Sequence, residues 1–584
     1  MLYYFIKYII DFLHIAYVWD EHFCIFARVE LKHLTTFMTL IILSLLLILT
    51  CISSCDNPNK ALCQAPETYT NPIIAFDYSD PDAIRVGDDY WMTASSFNAV
   101  PGLPILHSKD LVNWELSSYA LPELYCPASH GGGVWAPCIR FHDGWFYIYW
   151  GDPDYGIYMV KTQDPRGEWE SPVLVKAGKG LIDPSPLWDD NGKAYLVHAW
   201  ANSRCGFNSV LSMFEMSTDG CRAISEEIMV FDGNQGGNTT VEGAKIYKRN
   251  GWYYIFAPAG GVAEGWQLVM RSRNIWGPYE EKTVLTQGGS DINGPHQGAW
   301  VETQKGEHWF IHFQELQPYG RILHLEPMSW GDNDWCVMGV DPDGDGCGEP
   351  VREHKRPNLE WSPKAVGLLE RMNDEFNESQ MGLQWQWHGN AQDWFSLRSN
   401  YGFHRLYSCI ETYNGLWNVQ NLLLQKLPAE IDSLCATTKL HFVSKSDGDA
   451  AGMVVMGLDY ARSAVRRCGE EAVVELVICH NADKGGSEQR YEICRLPMKS
   501  DNIGAHPGSH LDIWFRAIDH GRGLFTFQYS PDGLNFYDMR HTKAYFAARE
   551  GKWIGAKIGL YCISEQPTSR RAWIDVDWFR VDAN

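Results

Sequence analysis

The sequence is short of positive charge. Its 584 residues hold 49 Lys and Arg against 72 Asp and Glu, a formal net charge of −23. Such a surface repels phosphate groups and anionic lipid, which argues against nucleic acid as a partner. Several chemical signatures are also missing. No G-x-x-x-x-G-K-[ST], H-E-x-x-H or G-x-G-x-x-G occurs, so nucleotide and zinc-protease chemistry has no support. His130-Gly131-Gly132-Gly133 has the look of an esterase oxyanion loop. Without a G-x-S-x-G nucleophile elbow, serine hydrolysis is set aside. The cysteines after Cys55 include no C-x-x-C pair and no metal spacing. They read as buried single thiols with an occasional bridge, not a disulfide scaffold. With 45% hydrophobic and 21% charged residues, the chain is not disordered.

Long apolar runs are scarce as well. A clean run from Leu40 to Leu49 ends in Ile52-Ser53-Ser54-Cys55. It is short for a transmembrane span and fits the apolar region of a secretion signal. Small residues directly before a cysteine also match the bacterial lipoprotein box, so residues 1–55 read as a leader with Cys55 lipidated. Export to the outer membrane, on its periplasmic or outer face, is the expectation. This lipid is the expected membrane contact. Residues 1–37 are broken by charges, and Met38 is an alternative start, although only Lys32 and His33 place basic character ahead of the run.

Aromatic residues are abundant: 25 Trp, 28 Tyr and 25 Phe. Aromatic faces stack on neutral sugars, which makes carbohydrate a first guess. Large β-folds also use many aromatics, so both readings stay open.

Self-similarity is stronger evidence. Five segments repeat a polar residue, an apolar stretch, a glycine turn and an aromatic-rich strand. The turn glycines are Gly87, Gly144, Gly192, Gly251 and Gly306, spaced by 57, 48, 59 and 55 residues. Each segment reads as two strands around a tight turn. A period near fifty with about four strands per unit predicts an all-β, five-bladed β-propeller over residues 71–349. Asp80, Trp135, Asp183, Glu242 and His296 open the five units at similar distances from their glycines. Equivalent positions on successive blades converge on the axis, so three acids should meet in one funnel. That suits glycosidic bond cleavage, in which one carboxylic acid protonates the leaving oxygen and one carboxylate stands opposite. A third acid raises the pKa of the first by repulsion.

Asp80-Pro81 in YSDPDAIRVGDDYW, Asp183-Pro184-Ser185 in GLIDPSPLWDDNGK and Glu242-Gly243 in VEGAKIYKRNGWYYI resemble the signature acids of glycoside hydrolase family 43. SSFNAVPGLPILHSKDLVNWE, GGGVWAP and NGPHQGAW are similar to it too. The resemblance implies Asp80 as general base, Asp183 as pKa modulator and orienter, Glu242 as general acid, and an inverting single displacement. It implies that His296 contacts an axial calcium or water, and that Arg321 binds sugar close to the acid. Phe97 and Trp135 are the expected walls of the sugar subsite. No cofactor is required, and a structural calcium is the one metal considered. Ala244-Lys245 depart from the family pattern, where many relatives carry a proline. Asp341-Pro-Asp343-Gly-Asp345-Gly346 opens like an EF-hand but has Arg352 where a bidentate Glu is needed, so it reads as a turn-rich loop.

Residues 56–70 and 350–372 read as linkers. From residue 373 to 584, alternating short strands predict a β-sandwich. Its opening NDEFNESQMGLQWQWHGN and closing WIDVDWFRVD resemble the concanavalin-like domain of family 43 β-xylosidases. The resemblance implies a sandwich loop over the funnel, hence exo action on xylose or arabinofuranose ends of hemicellulose oligosaccharides. An endo-acting arabinan or xylan hydrolase and a non-catalytic sugar-binding propeller are the alternatives.

Overall fold

A computed structural model describes residues 65–584 except 364–368, 391, 412–414, 502–507, 541–544, 567–570 and 584. The leader, Met38 and Cys55 lie outside the described residues.

Each propeller sheet is built from four consecutive strands, paired in chain order. The first strand of each blade lies nearest the axis: Asp82–Val86, Trp135–His142, Leu181–Trp188, Lys245–Arg249 and His296–Glu302. First strands of neighbouring blades contact one another at four of the five junctions. The turns between first and second strands end on the five predicted glycines, all with φ between 64° and 80°. No atom crowds a Cβ built at Gly87, Gly144, Gly192 or Gly306. Backbone conformation, not space, selects glycine there.

Strand alternation closes the ring. Trp91 faces one side of blade 1 and packs with Ile139 and Ile148 of blade 2. Its neighbours Tyr90 and Met92 face the other side and pack with Trp309 and Ile311 of blade 5. Tyr149 meets Leu196 and Phe214, Val197 meets Ile246 and Ile255, and Phe256 meets Phe310, so every blade junction has its own buried cluster. Trp145, Trp188, Trp252, Trp300 and Trp330 border these junctions. Much of the aromatic excess is therefore blade packing, and composition alone overstated the case for sugar.

The predicted linkers carry some structure. Thr68–Thr70 pairs antiparallel with Glu353–Lys355, and the following segment adds to blade 5 through Ile73 N–H donating to Leu323 O at 2.8 Å.

The second half is a sandwich of an eight-stranded and a nine-stranded sheet. Leu434–Ser444 shows why: Ala436, Leu440 and Phe442 point into the core, while Lys439 and His441 between them point out. The sandwich packs on the propeller. Trp387 and Val100 exchange backbone hydrogen bonds, Ala429 N–H donates to Ala75 O, and Tyr319 of blade 5 is buried in the sandwich core. The twelve described cysteines are all free thiols, with no bridge among them.

Candidate active site

The start of each first strand carries the same backbone device. Asp80 (φ 56°), Ala136 (32°), Asp183 (55°), Gly243 (61°) and Gln297 (35°) all adopt left-handed conformations. Strand register breaks at the same place in blades 2, 3 and 5. In four of the five blades this residue is not glycine, and such a conformation costs on the order of 1 kcal/mol or more, held only by surrounding structure. The true blade equivalence follows from it. Asp80 and Asp183 are themselves the left-handed residues, whereas Trp135, Glu242 and His296 each precede one. The positions read as equivalent from the turn glycines thus fall into two sets one residue apart, a difference that spacings of 7 to 10 residues do not resolve.

The three acids nevertheless meet. Asp80 and Asp183 are almost fully buried, and the Glu242 side chain keeps 25% of its surface open. Asp80 Oδ2 accepts the Ser95 hydroxyl at 2.5 Å, and Ser95 Oγ in turn accepts Ala136 N–H at 2.7 Å. Asp80 Oδ1 accepts Arg321 Nη1 at 3.0 Å. Asp183 Oδ2 accepts Gly243 N–H at 2.6 Å. Glu242 N–H donates to Pro258 O at 3.2 Å, and its carboxyl lies 3.9 Å from His296 Nε2.

Burial pushes the Glu242 pKa up to about 8, and repulsion from Asp183 and Asp80 adds to the shift. Burial likewise raises Asp183 to about 7, against the lowering effect of the Gly243 N–H. Arg321 lowers both only in part. The pocket thus favours a protonated Glu242 at neutral pH, a proton donor in the same hollow as the Arg321-paired Asp80.

Arg321 pairs with Asp80, the expected base, and its charge also acts on Glu242, the expected acid. Its planar fork also lies 4.8 Å from the Phe313 ring. Phe97 and Trp135 are brought together, ring centroids 6.4 Å apart and edge to face. Trp135 is fixed by its indole N–H donating to Gly131 O, and Arg204 lies over its face while pairing with Asp154. Ala244-Lys245 leave the Glu242 turn intact. Lys245 is buried with Nζ donating to Pro137 O of blade 2 at 3.1 Å, and its charge lowers the Asp183 pKa.

Both ring nitrogens of His296 are buried without a protein partner, and burial pushes its pKa down to about 3. The neutral ring can therefore accept from a water or offer a lone pair to a cation. Calcium takes six to eight oxygen ligands. No group of three metal-ligating side chains among the described residues includes His296. The residues fit an ordered water or a hydrated ion, not a protein-built calcium cage. Asp341, Asp343 and Asp345 do bring carboxylate oxygens within 4.8 Å of one another, far from the axis in sequence and on an exposed loop. Their caps to Gly344, Gly346 and Cys347 N–H make the turn-rich loop expected.

Three residues at the site were not foreseen. Ser95 and Asp77 orient the base and Arg321, and Trp553 of the sandwich stands edge-on to Trp135 at 6.1 Å. Trp553 borders a cavity of about 210 Å³ together with Glu315, Arg321, Glu550 and Lys552, so both domains line a hollow that reaches Arg321.

The model of glycosyl hydrolases family 43 matches residues 69–336, and that of the beta xylosidase C-terminal concanavalin A-like domain matches residues 373–582. A putative beta-xylosidase of Xylanibacter ruminicola is 35% identical over 503 residues, covering 85% of this chain and 86% of that protein. A non-reducing end alpha-L-arabinofuranosidase of Bacteroides ovatus is 31% identical over 420 residues, covering 68% of this chain and 75% of its own. Among solved structures, the family 43 protein BlXynB of Bacillus licheniformis superposes with a TM-score of 0.72 at 25% identity, over 88% of this chain and all of that one. The ring of five blades, the buried acid cluster and the appended sandwich thus find matches along both halves, and the chain belongs to glycoside hydrolase family 43 as an O-glycosyl hydrolase.

Proposed function

We propose that the protein is an exo-acting, inverting glycosidase that releases xylose or arabinofuranose from the ends of hemicellulose oligosaccharides. The observation that carries this reading is the convergence of three acids in one hollow: Glu242, raised to about 8, beside Asp183 and beside Asp80 paired with Arg321. Glu242 protonates the leaving oxygen as general acid. Asp80 removes a proton from the attacking water as general base. Asp183 keeps Glu242 protonated by repulsion and orients it through Gly243. A single displacement with water between base and sugar inverts the anomeric centre. Phe97 and Trp135 wall the sugar, and Arg321 offers donors to its hydroxyls. The Trp553 loop narrows the entrance, which favours chain ends.

Release of p-nitrophenol from aryl β-xyloside and aryl α-arabinofuranoside tests activity and sugar together, and proton NMR of the first-formed anomer tests inversion. Unchanged rates in both Glu242→Gln and Asp80→Asn would remove the assigned roles. Products longer than a monomer from soluble polymer would favour endo action instead.

Export and lipidation at Cys55 belong to the same reading. Metabolic labelling with a fatty acid, lost in Cys55→Ala, is the expected result. At His296 the proposal is an axial water or hydrated calcium, and elemental analysis of the purified protein distinguishes them.

A further inference from the structure

Asp77 is a buried carboxylate outside the acid cluster, and it collects hydrogen bonds from three directions. Its Oδ1 accepts the backbone N–H of Arg321 at 2.9 Å and the Ser79 hydroxyl at 3.1 Å. Its Oδ2 accepts the backbone N–H of Gly555 at 3.0 Å, 478 residues away in the sandwich. Each donor belongs to a different part of the site. Ser79 directly precedes Asp80, Arg321 pairs with Asp80, and Gly555 closes the loop that carries Trp553. The Ser79 hydroxyl also lies 3.5 Å from Trp553 O.

Two glycines make the arrangement possible. A Cβ on Gly320 would sit 2.6 Å from both Asp77 Cγ and Gly555 N, and one on Gly555 would sit 2.1 Å from Tyr319 O. Side chains at either position would hold the blade 5 hairpin and the sandwich loop apart. Charge supports the placement. Lys426 of the sandwich is half-buried and Lys557 buried, and desolvation lowers their pKa values to about 7 and 8, with Asp77 as the anion that opposes the fall in each.

We infer that Asp77 is a positioning residue that locks the sandwich loop bearing Trp553 to the Arg321–Asp80 pair, so that the second domain completes the sugar subsite. The inference rests on the glycosidase reading given above. Its test separates the two arms. Asp77→Ala loses every bond, whereas Asp77→Asn keeps an acceptor for Arg321 N–H and Ser79 and opposes Gly555 N–H with its own donors.

Asp77→Ala should lower kcat by about 10²-fold, the scale expected for misplacement near the chemistry. Asp77→Asn should recover kcat to within about threefold of wild type while KM stays raised by about tenfold. Combined with Trp553→Ala, Asp77→Asn should add no further rise in KM, because both act through one loop. Independent, multiplying effects of Asp77→Asn and Trp553→Ala would overturn the coupling, and so would wild-type kinetics in Asp77→Asn. A readout free of activity accompanies them. Trypsin cleavage after the exposed Lys552 should accelerate in Asp77→Asn, and an unchanged cleavage rate would overturn the lock even if the protein hydrolysed no glycoside.

Discussion

Asp183 accepts its 2.6 Å hydrogen bond from the N–H of Gly243, the residue directly after Glu242, so it holds the backbone beside the carboxyl whose pKa it helps to raise. Gly243 can serve because its φ of 61° aims that N–H across the blade junction. A Cβ there would meet the Gln297 side chain at 2.7 Å and Pro258 at 3.0 Å. One bond thus couples geometry and electrostatics. In Asp183→Asn the repulsion is gone, and the Glu242 pKa falls from its raised value. Activity needs Glu242 protonated, so the alkaline limb of the kcat/KM profile, expected near pH 8 in the wild type, should move to lower pH. A limb that stays in place would refute the modulator role.

Glu242→Gln is expected to cut hydrolysis of natural oligosaccharides by about 10³-fold or more, since general acid assistance is lost together with a transition-state contact. Aryl glycosides with very acidic phenols need little protonation, so their loss should be much smaller. Comparing kcat/KM for a nitrophenyl and a plain phenyl glycoside checks this. Equal losses on both would place Glu242 outside the acid role.

The same raised pKa values have a stability consequence. A carboxyl whose pKa is higher folded than unfolded binds its proton more tightly in the native state. Folding stability therefore falls as pH rises from the unfolded value near 4.5 toward the folded value near 8. Glu242→Gln removes the cost of burying that charge. Its melting temperature should match wild type at pH 5 and exceed it by about 1–3 °C at pH 8.5. A calorimetric scan at both values measures the difference, and a variant less stable at pH 8.5 would contradict the assignment.

How much of this was legible beforehand depended on where each signal resides. The blades were readable because a turn needing φ > 0 writes a glycine into the sequence, as at Gly144 and Gly251. The acids were readable because they recur 7 to 9 residues before those glycines, at the other end of the first strand. The one-residue offset was not, since left-handed residues such as Ala136 and Gln297 carry no glycine to mark them. Arg321 was foreseen as a site residue, but its partner was not: its distance to Asp80 depends on closing blade 5 against blade 1, a contact across 241 residues. Asp77 and Trp553 were invisible for the same reason, each meaningful only through a partner in the other domain.

The Asp80–Arg321 pair yields the last expectation. Both side chains are at least 93% buried, so truncating the arginine leaves the base facing a low-dielectric pocket with Ser95 as its remaining side-chain donor. Breaking such a pair costs about 3–5 kcal/mol of local stability. Arg321→Ala should therefore lose both activity and melting temperature. Arg321→Lys keeps the charge but gives up the planar fork that holds Asp80 through Nη1 and lies over Phe313. It should hold the melting temperature close to wild type while kcat/KM drops by about 10²-fold, on the scale of a misplaced catalytic group. The two variants separate folding from catalysis at one position. An Arg321→Lys enzyme with wild-type kcat/KM would show that a point charge suffices and that the fork does not orient the base or the sugar.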